Sequence, residues 1–205
     1  MLSGNRTFPQ SRQVSGQLRH QKEDLRLYYK GQEIPLASNN FYQVYRGVVQ
    51  LYRIGSKDRE TIVGWITANH AFGNNILEND QYKAIALSDV YLRCYSSIEV
   101  VRDPNLARLL IAELSHRLVK SEQMIGINLI RRVEDRLKAL LLMLKADIGY
   151  SFDNSRYVRL AVRFTHQNLA DAICTTRVTI TRILGEWQER NLLEFDCDRH
   201  IIIKF

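Results

Sequence analysis

The chain has 205 residues, 45% hydrophobic and 25% charged, with 29 Lys+Arg against 22 Asp+Glu for a formal net charge of +7. This is globular composition, enough for one domain of middling size or two small ones, and the basic balance makes nucleic acid a candidate partner. No apolar run reaches the roughly 18 residues of a membrane span, the start of the chain lacks a signal-peptide core, and Cys94, Cys174 and Cys197 show neither disulfide nor zinc spacing, so a reducing, cytoplasmic setting away from membranes is expected.

Residues 1 to about 25 are polar, rich in Gln, Arg and Ser, and predict an unanchored tail. From Leu25 to Ser97, short apolar–polar runs follow at Tyr42–Tyr45, Val48–Tyr52, Thr61–Trp65, Lys83–Leu87 and Val90–Tyr95. Turn signals at Arg46-Gly47, Gly55–Asp58 and Glu78–Asp80 separate them. Strands so spaced predict a β-sandwich or small barrel. The period switches at Asp103-Pro104, a cap followed by a first-turn proline. Leu106, Leu110, Leu114, Leu118, Ile125, Leu129, Val133, Leu137, Leu140 and Leu144 then recur at helical spacing, with no strong break before Gly149. This reads either as one very long helix or as two joined near Ile130–Val133. A helix of that length needs a partner along it, most simply a second copy of itself.

The last 55 residues, 151–205, form a small unit. Tyr157–Leu160 and Val162–Phe164 predict short strands. Thr165 opens a helix to Ile173, Cys174-Thr175 makes a tight turn, and a second helix runs from Thr176 to about Arg190. Leu192–Cys197 and Ile201–Phe205 predict a hairpin turning at Asp198-Arg199. Helix, turn, helix and hairpin make a winged helix-turn-helix. Leu169, Ala170 and Ile173 on the first helix, and Ile180, Ile183, Leu184 and Trp187 on the second, supply buried faces. The opposite face of the second helix carries Arg177, Val178, Thr181 and Arg182. Such side chains suit a major groove, where Arg pairs with guanine and Val meets a thymine methyl. Thr175 or Thr176 caps that helix, whose N-terminus offers amides to a phosphate. The other reading is an amphipathic helix with a solvated basic face.

The stretch Thr175-Thr176-Arg177-Val178-Thr179-Ile180-Thr181-Arg182-Ile183-Leu184-Gly185 resembles the DNA-binding end of the Crp/Fnr superfamily, most of all its cyanobacterial global nitrogen regulators. Weaker likeness extends along the chain through Arg46–Leu51, Ala71-Phe72-Gly73, His116-Arg117-Leu118 and Glu122–Ile125. The resemblance implies an α+β protein in three parts: a tail and cyclic-nucleotide-binding-like β jelly-roll sensor over 1–103, a dimerisation helix and hinge over 104–150, and a winged helix-turn-helix over 151–205. It implies that Arg177 reads guanine, Val178 a thymine methyl and Arg182 a base or phosphate, while Thr165, His166 and Thr176 touch the backbone. It further implies a homodimer on a palindromic operator in double-stranded DNA, acting with RNA polymerase.

The effector segment departs from the family pattern. Cyclic-AMP binders carry a Gly-Glu pair and then a phosphate-binding Arg; here Gly73 is followed by Asn74, and the Arg position falls near Asp80 or Gln81. Cyclic AMP is therefore not expected. Nitrogen regulators hold 2-oxoglutarate with that same Arg plus an Arg and a Glu on the dimer helix. Arg117 and Glu122 match the latter pair, and Lys83 stands in as a point charge, so 2-oxoglutarate is the candidate effector, with Phe72, Gly73 and Asn74 in the pocket segment. Arg117 and Glu122 also read as a helix ion pair or a solvated face. Two further departures are mechanical: Arg132 stands where the family caps the second helix with Asp, predicting a softer break, and Cys174 stands where the turn favours Gly.

No enzyme is expected. His20, His70, His116, His166 and His200 are scattered, and no phosphate-binding glycine loop or nucleophile elbow occurs. The alternatives are a regulator working without an effector, and a small-molecule binding module whose basic helix docks a protein.

Overall fold

The computed structural model describes residues 25–55, 60–73, 81–151 and 157–205. The expected tail over 1–24, the tips of two expected turns, Asn74 and Asp80 lie outside them.

Among the described residues, eight strands build the N-terminal roll: β1 (Arg26–Tyr28), β2 (Glu33–Ile34), β3 (Asn40–Arg46), β4 (Val48–Ile54), β5 (Glu60–Thr67), β6 (Ala71–Gly73), β7 (Gln81–Ala86) and β8 (Val90–Ser96). They form two antiparallel four-stranded sheets, ordered β1-β8-β3-β6 and β2-β7-β4-β5. Ile34, Tyr42, Val44, Val49, Leu51, Phe72, Ala84, Ala86 and Leu92 fill the space between the sheets. The β3–β4 corner needs Gly47, whose φ is +96°; an added Cβ would stand 2.4 Å from the Asp89 carbonyl oxygen. Strands β1, β2 and β6 are too short to announce themselves by alternation.

Strand β4 is buried on both faces. Val49 and Leu51 point into the roll, while Val48 belongs to a second core shared with the C-terminal unit. Gln50, fully buried, accepts from the Trp65 indole N–H at 3.1 Å and donates to the Tyr52 hydroxyl. The unbroken run Val48-Val49-Gln50-Leu51 follows from that double burial.

After a short α1 (Ser97–Arg102), α2 spans Pro104–Leu129, its Asp103 cap accepting from the amides of Asn105 and Leu106. The apolar series does not make one helix. The backbone is extended at Ile130 and Arg132, and α3 runs Val133–Ile148. Arg132 makes no side-chain cap, yet the break is complete. The Arg136 guanidinium, reaching back from α3, donates to the Ile130 carbonyl at 3.3 Å and satisfies the end of α2 from the far side of the break. Helix α3 packs into the C-terminal core through Leu137, Leu140, Leu141 and Leu144.

The C-terminal unit adds β9 (Gly149–Ser151), β10 (Val158–Leu160), α4 (His166–Ala172), α5 (Arg177–Glu189), β11 (Leu193–Phe195) and β12 (Ile201–Ile203), with sheet order β11-β12-β10-β9. The expected strand at Val162–Phe164 is absent: Val162 and Phe164 are buried, but as an irregular lead into α4. Strand β9 was not anticipated. No helix among the described residues is long and apolar enough to cross a membrane.

Candidate DNA-binding surface and effector cavity

Helix α4 starts in a reciprocal capping box: Thr165 Oγ1 accepts from the Asn168 amide at 3.0 Å, and Asn168 Oδ1 accepts from the Thr165 amide at 3.0 Å. The turn to α5 passes through Cys174 at φ +53°, and the Thr175 amide closes onto the Ala170 carbonyl at 2.9 Å. Thr176 is the α5 cap, its hydroxyl accepting from the Thr179 amide at 3.1 Å. Leu169, Ala170 and Ile173 pack with Ile180, Ile183, Leu184 and Trp187 in the core.

These constraints turn one face of α5 outward. Arg177, Val178, Thr181 and Arg182 are exposed, Val178 to 78%, and Thr165 and Thr176 lie exposed at the helix starts. His166 is half-buried, its Nδ1 2.8 Å from Thr181 Oγ1. Burial, then the nearby charges of Arg177 and Arg199, hold His166 below the usual histidine pKa. Arg182 is engaged by Glu186 one turn on, so a reach toward DNA exchanges that pair for another anion. The seven expected DNA-contacting residues thus share one surface. Arg199, exposed at the tip of the β11–β12 wing with φ +64°, brings a further cation that the sequence had shown only as a turn residue.

A cavity of about 180 Å³ lies where β5, α2 and α3 meet, lined in part by Trp65, His70, His116, Arg117, Lys120 and Asp147. Arg117 pairs with no carboxylate among the described residues, and burial pushes its guanidinium below the usual arginine pKa. Lys120 bonds Asp147 at 2.5 Å, joining α2 to α3 across the break. Of the expected effector residues that are among the described ones, only Arg117 lines this cavity. Phe72 is in the roll core, stacked on Tyr42 at 5.2 Å. Gly73 abuts the Phe41 ring. Lys83 lies on the face of β7 opposite the inward Ala84 and is bound to Glu60 at 2.7 Å. Glu122 is exposed on α2, away from the cavity. The scattered histidines are partly gathered: the His70 and His116 rings lie parallel, with centroids 4.3 Å apart.

Helix α2 has two apolar faces. Leu110, Met124 and Ile127 are buried within the chain, while Ile111, Leu114, Leu118, Ile125 and Leu129 form an exposed stripe.

The family model of the Crp-like helix-turn-helix domain matches residues 135–204. The global nitrogen regulator of Synechocystis sp. is 33% identical over 162 residues, covering 74% of this chain and 71% of that protein. Its counterpart in Synechococcus elongatus is 30% identical over 161 residues, covering 74% and 72%. Among solved structures, FixK2 from Bradyrhizobium japonicum superposes with a TM-score of 0.72 at 21% identity, over 88% of this chain and 92% of that one.

Proposed function

The chain belongs to the Crp/Fnr superfamily of DNA-binding transcription regulators, and we propose that it acts as a homodimer that reads a palindromic operator through paired α5 helices. The observation that carries this reading is the outward face of α5, where Arg177, Val178, Thr181 and Arg182 stand clear while the other face is committed to core. Two such helices would enter successive major grooves about 34 Å apart. The exposed stripe of α2 supports the dimer, the form in which regulators of this family act. RNA polymerase is the partner through which the bound dimer would change transcription.

The α2–β5–α3 cavity is the proposed effector site, for a small dicarboxylate of the 2-oxoglutarate kind. Its support is Arg117, a half-buried cation with no carboxylate partner among the described residues. A cyclic nucleotide is not the proposed ligand, because Asn74 stands where cyclic-AMP binders carry Glu and the phosphate-binding Arg position falls near Asp80 or Gln81; with Lys83 held by Glu60, the anion contact of the 2-oxoglutarate reading rests on Arg117.

Selection from a random duplex pool tests the regulator reading. A two-fold symmetric site, bound with an affinity that falls steeply as salt is raised, is expected. Selection that returns no symmetric site would remove the paired-helix reading.

A further inference from the structure

We propose that His70, Glu113 and His116 form a site for a divalent first-row transition metal, which ties the β-roll to α2. His70 lies at the corner between β5 and β6, and Glu113 and His116 lie one helical turn apart on α2. One nitrogen from each imidazole and one Glu113 oxygen lie within 4.8 Å of one another. Donors bound at about 2.0–2.2 Å to one ion stand at most about 4.4 Å apart, so loading needs only small side-chain turns.

The local contacts favour this over a purely structural cluster. Glu113 is oriented before any ion arrives: its Oε2 is 2.8 Å from His70 Nδ1 and accepts from the Ala71 amide at 3.3 Å. Its side chain is only 18% exposed. The His116 imidazole makes no hydrogen bond among the described residues. It lies nearly parallel to His70, with an interplanar angle of 5°, so the two imidazoles stand side by side and each offers a nitrogen near the Glu113 carboxylate. Two imidazoles and one carboxylate suit zinc, iron(II), cobalt or nickel and leave positions open. Both imidazoles line the cavity that also holds Arg117, so an open position would face a bound anion or water.

Metal binding stands without reference to DNA. Its regulatory consequence, fixing where α2 lies against the roll, rests on the dimeric reading given above. The test uses full-length protein stripped with a chelator and titrated with Co2+. One ion per chain is expected, with the visible bands of nitrogen and oxygen ligation and no thiolate charge-transfer band from Cys94, Cys174 or Cys197. His116→Asn and Glu113→Gln should each weaken binding at least tenfold, and Co2+ should raise the melting midpoint of the parent protein. Four results would each overturn the site: no stoichiometric binding, a thiolate band, no rise in the parent's melting midpoint, or Co2+ affinity unchanged in a folded His70→Asn/His116→Asn double variant. The midpoint shift is read on the parent alone, so absence of a shift counts against the site even where a variant fails to fold.

Discussion

His166 and Thr181 meet side chain to side chain across the angle between α4 and α5, Nδ1 to Oγ1 at 2.8 Å. The Thr181 hydroxyl already donates to the Arg177 carbonyl at 2.9 Å, so the imidazole N–H is the donor and Nε2 is left with the lone pair. A second proton would therefore appear at Nε2, on the surface that carries Arg177.

That arrangement predicts two opposite responses to acid. In the free protein, burial and then Arg177 and Arg199 depress the His166 pKa, and burial with Arg159 depresses that of His200. The unfolded chain then takes up more protons than the folded one, so their contribution to stability is present above about pH 6.5 and is lost as pH falls toward the folded pKa values. Operator binding runs the other way. DNA phosphates neutralise Arg177 and Arg199 and raise the His166 pKa, so affinity should increase as pH drops through the same window. Melting midpoints and binding isotherms between pH 8 and 5.5 measure both. His166→Gln should flatten the binding slope, and an unchanged slope in that variant would move the effect elsewhere.

Arg177→Ala should abolish specific operator binding while the dimer persists. The bidentate contact of an Arg at the start of a recognition helix contributes about 1–3 kcal/mol in each half-site. Equal affinity for the selected operator at matched salt would mean that α5 is not the reading helix.

Cys174→Gly should stabilise the protein. An L-residue at positive φ costs roughly 1–2 kcal/mol, and the extra freedom Gly gives the unfolded chain offsets about 0.5–1 kcal/mol of that. Cys174 is exposed, so the substitution forfeits little packing. Thermal melts at equal protein concentration should show a higher midpoint with DNA binding intact.

Ile125→Asp should dissociate the dimer. Ile125 is 61% exposed within the chain, on the α2 stripe about one turn before the helix ends at Leu129. Each copy would lose about 1.5–3 kcal/mol of apolar contact and add the cost of desolvating a carboxylate, doubled by symmetry. Sedimentation at micromolar protein should show mainly monomer. A persistent dimer would put the interface on another surface.

Calorimetry with 2-oxoglutarate should give saturable binding to the parent and none to Arg117→Met, with cyclic AMP giving no heat in either. Undiminished binding to Arg117→Met would move the anion site out of the α2–β5–α3 cavity.

The reading head was legible because its signals are local. Capping residues, a tight turn and a buried face at helical spacing all fall within twenty-odd positions, and the structure puts the helices within a residue or so of where the pattern did. The break near Ile130 was legible only as one of two readings, since the apolar period runs through it and the group that closes α2, Arg136, belongs to the next helix. The cavity was not legible. His70 and Glu113 are 43 positions apart, and only the packing of α2 on the roll brings them together. Lys83 had been assigned by charge alone, and strand alternation turned it to the other face.

The two-sided burial of β4 bears on how such proteins can be recombined. Trp65 meets Phe164 edge-on at 5.5 Å, and Val48 and Ile62 sit in a core made mostly by the C-terminal unit. A chimera carrying another roll on this reading head would have to reproduce that sheet face, or leave Phe164 facing water. The same holds for a fragment cut after α2: its newly bared patch would make it sticky, and its failure to behave would say nothing about whether the winged helix can bind DNA. Grafting is better placed at the α5 surface itself, where Arg177, Val178, Thr181 and Arg182 can be exchanged without touching the seam.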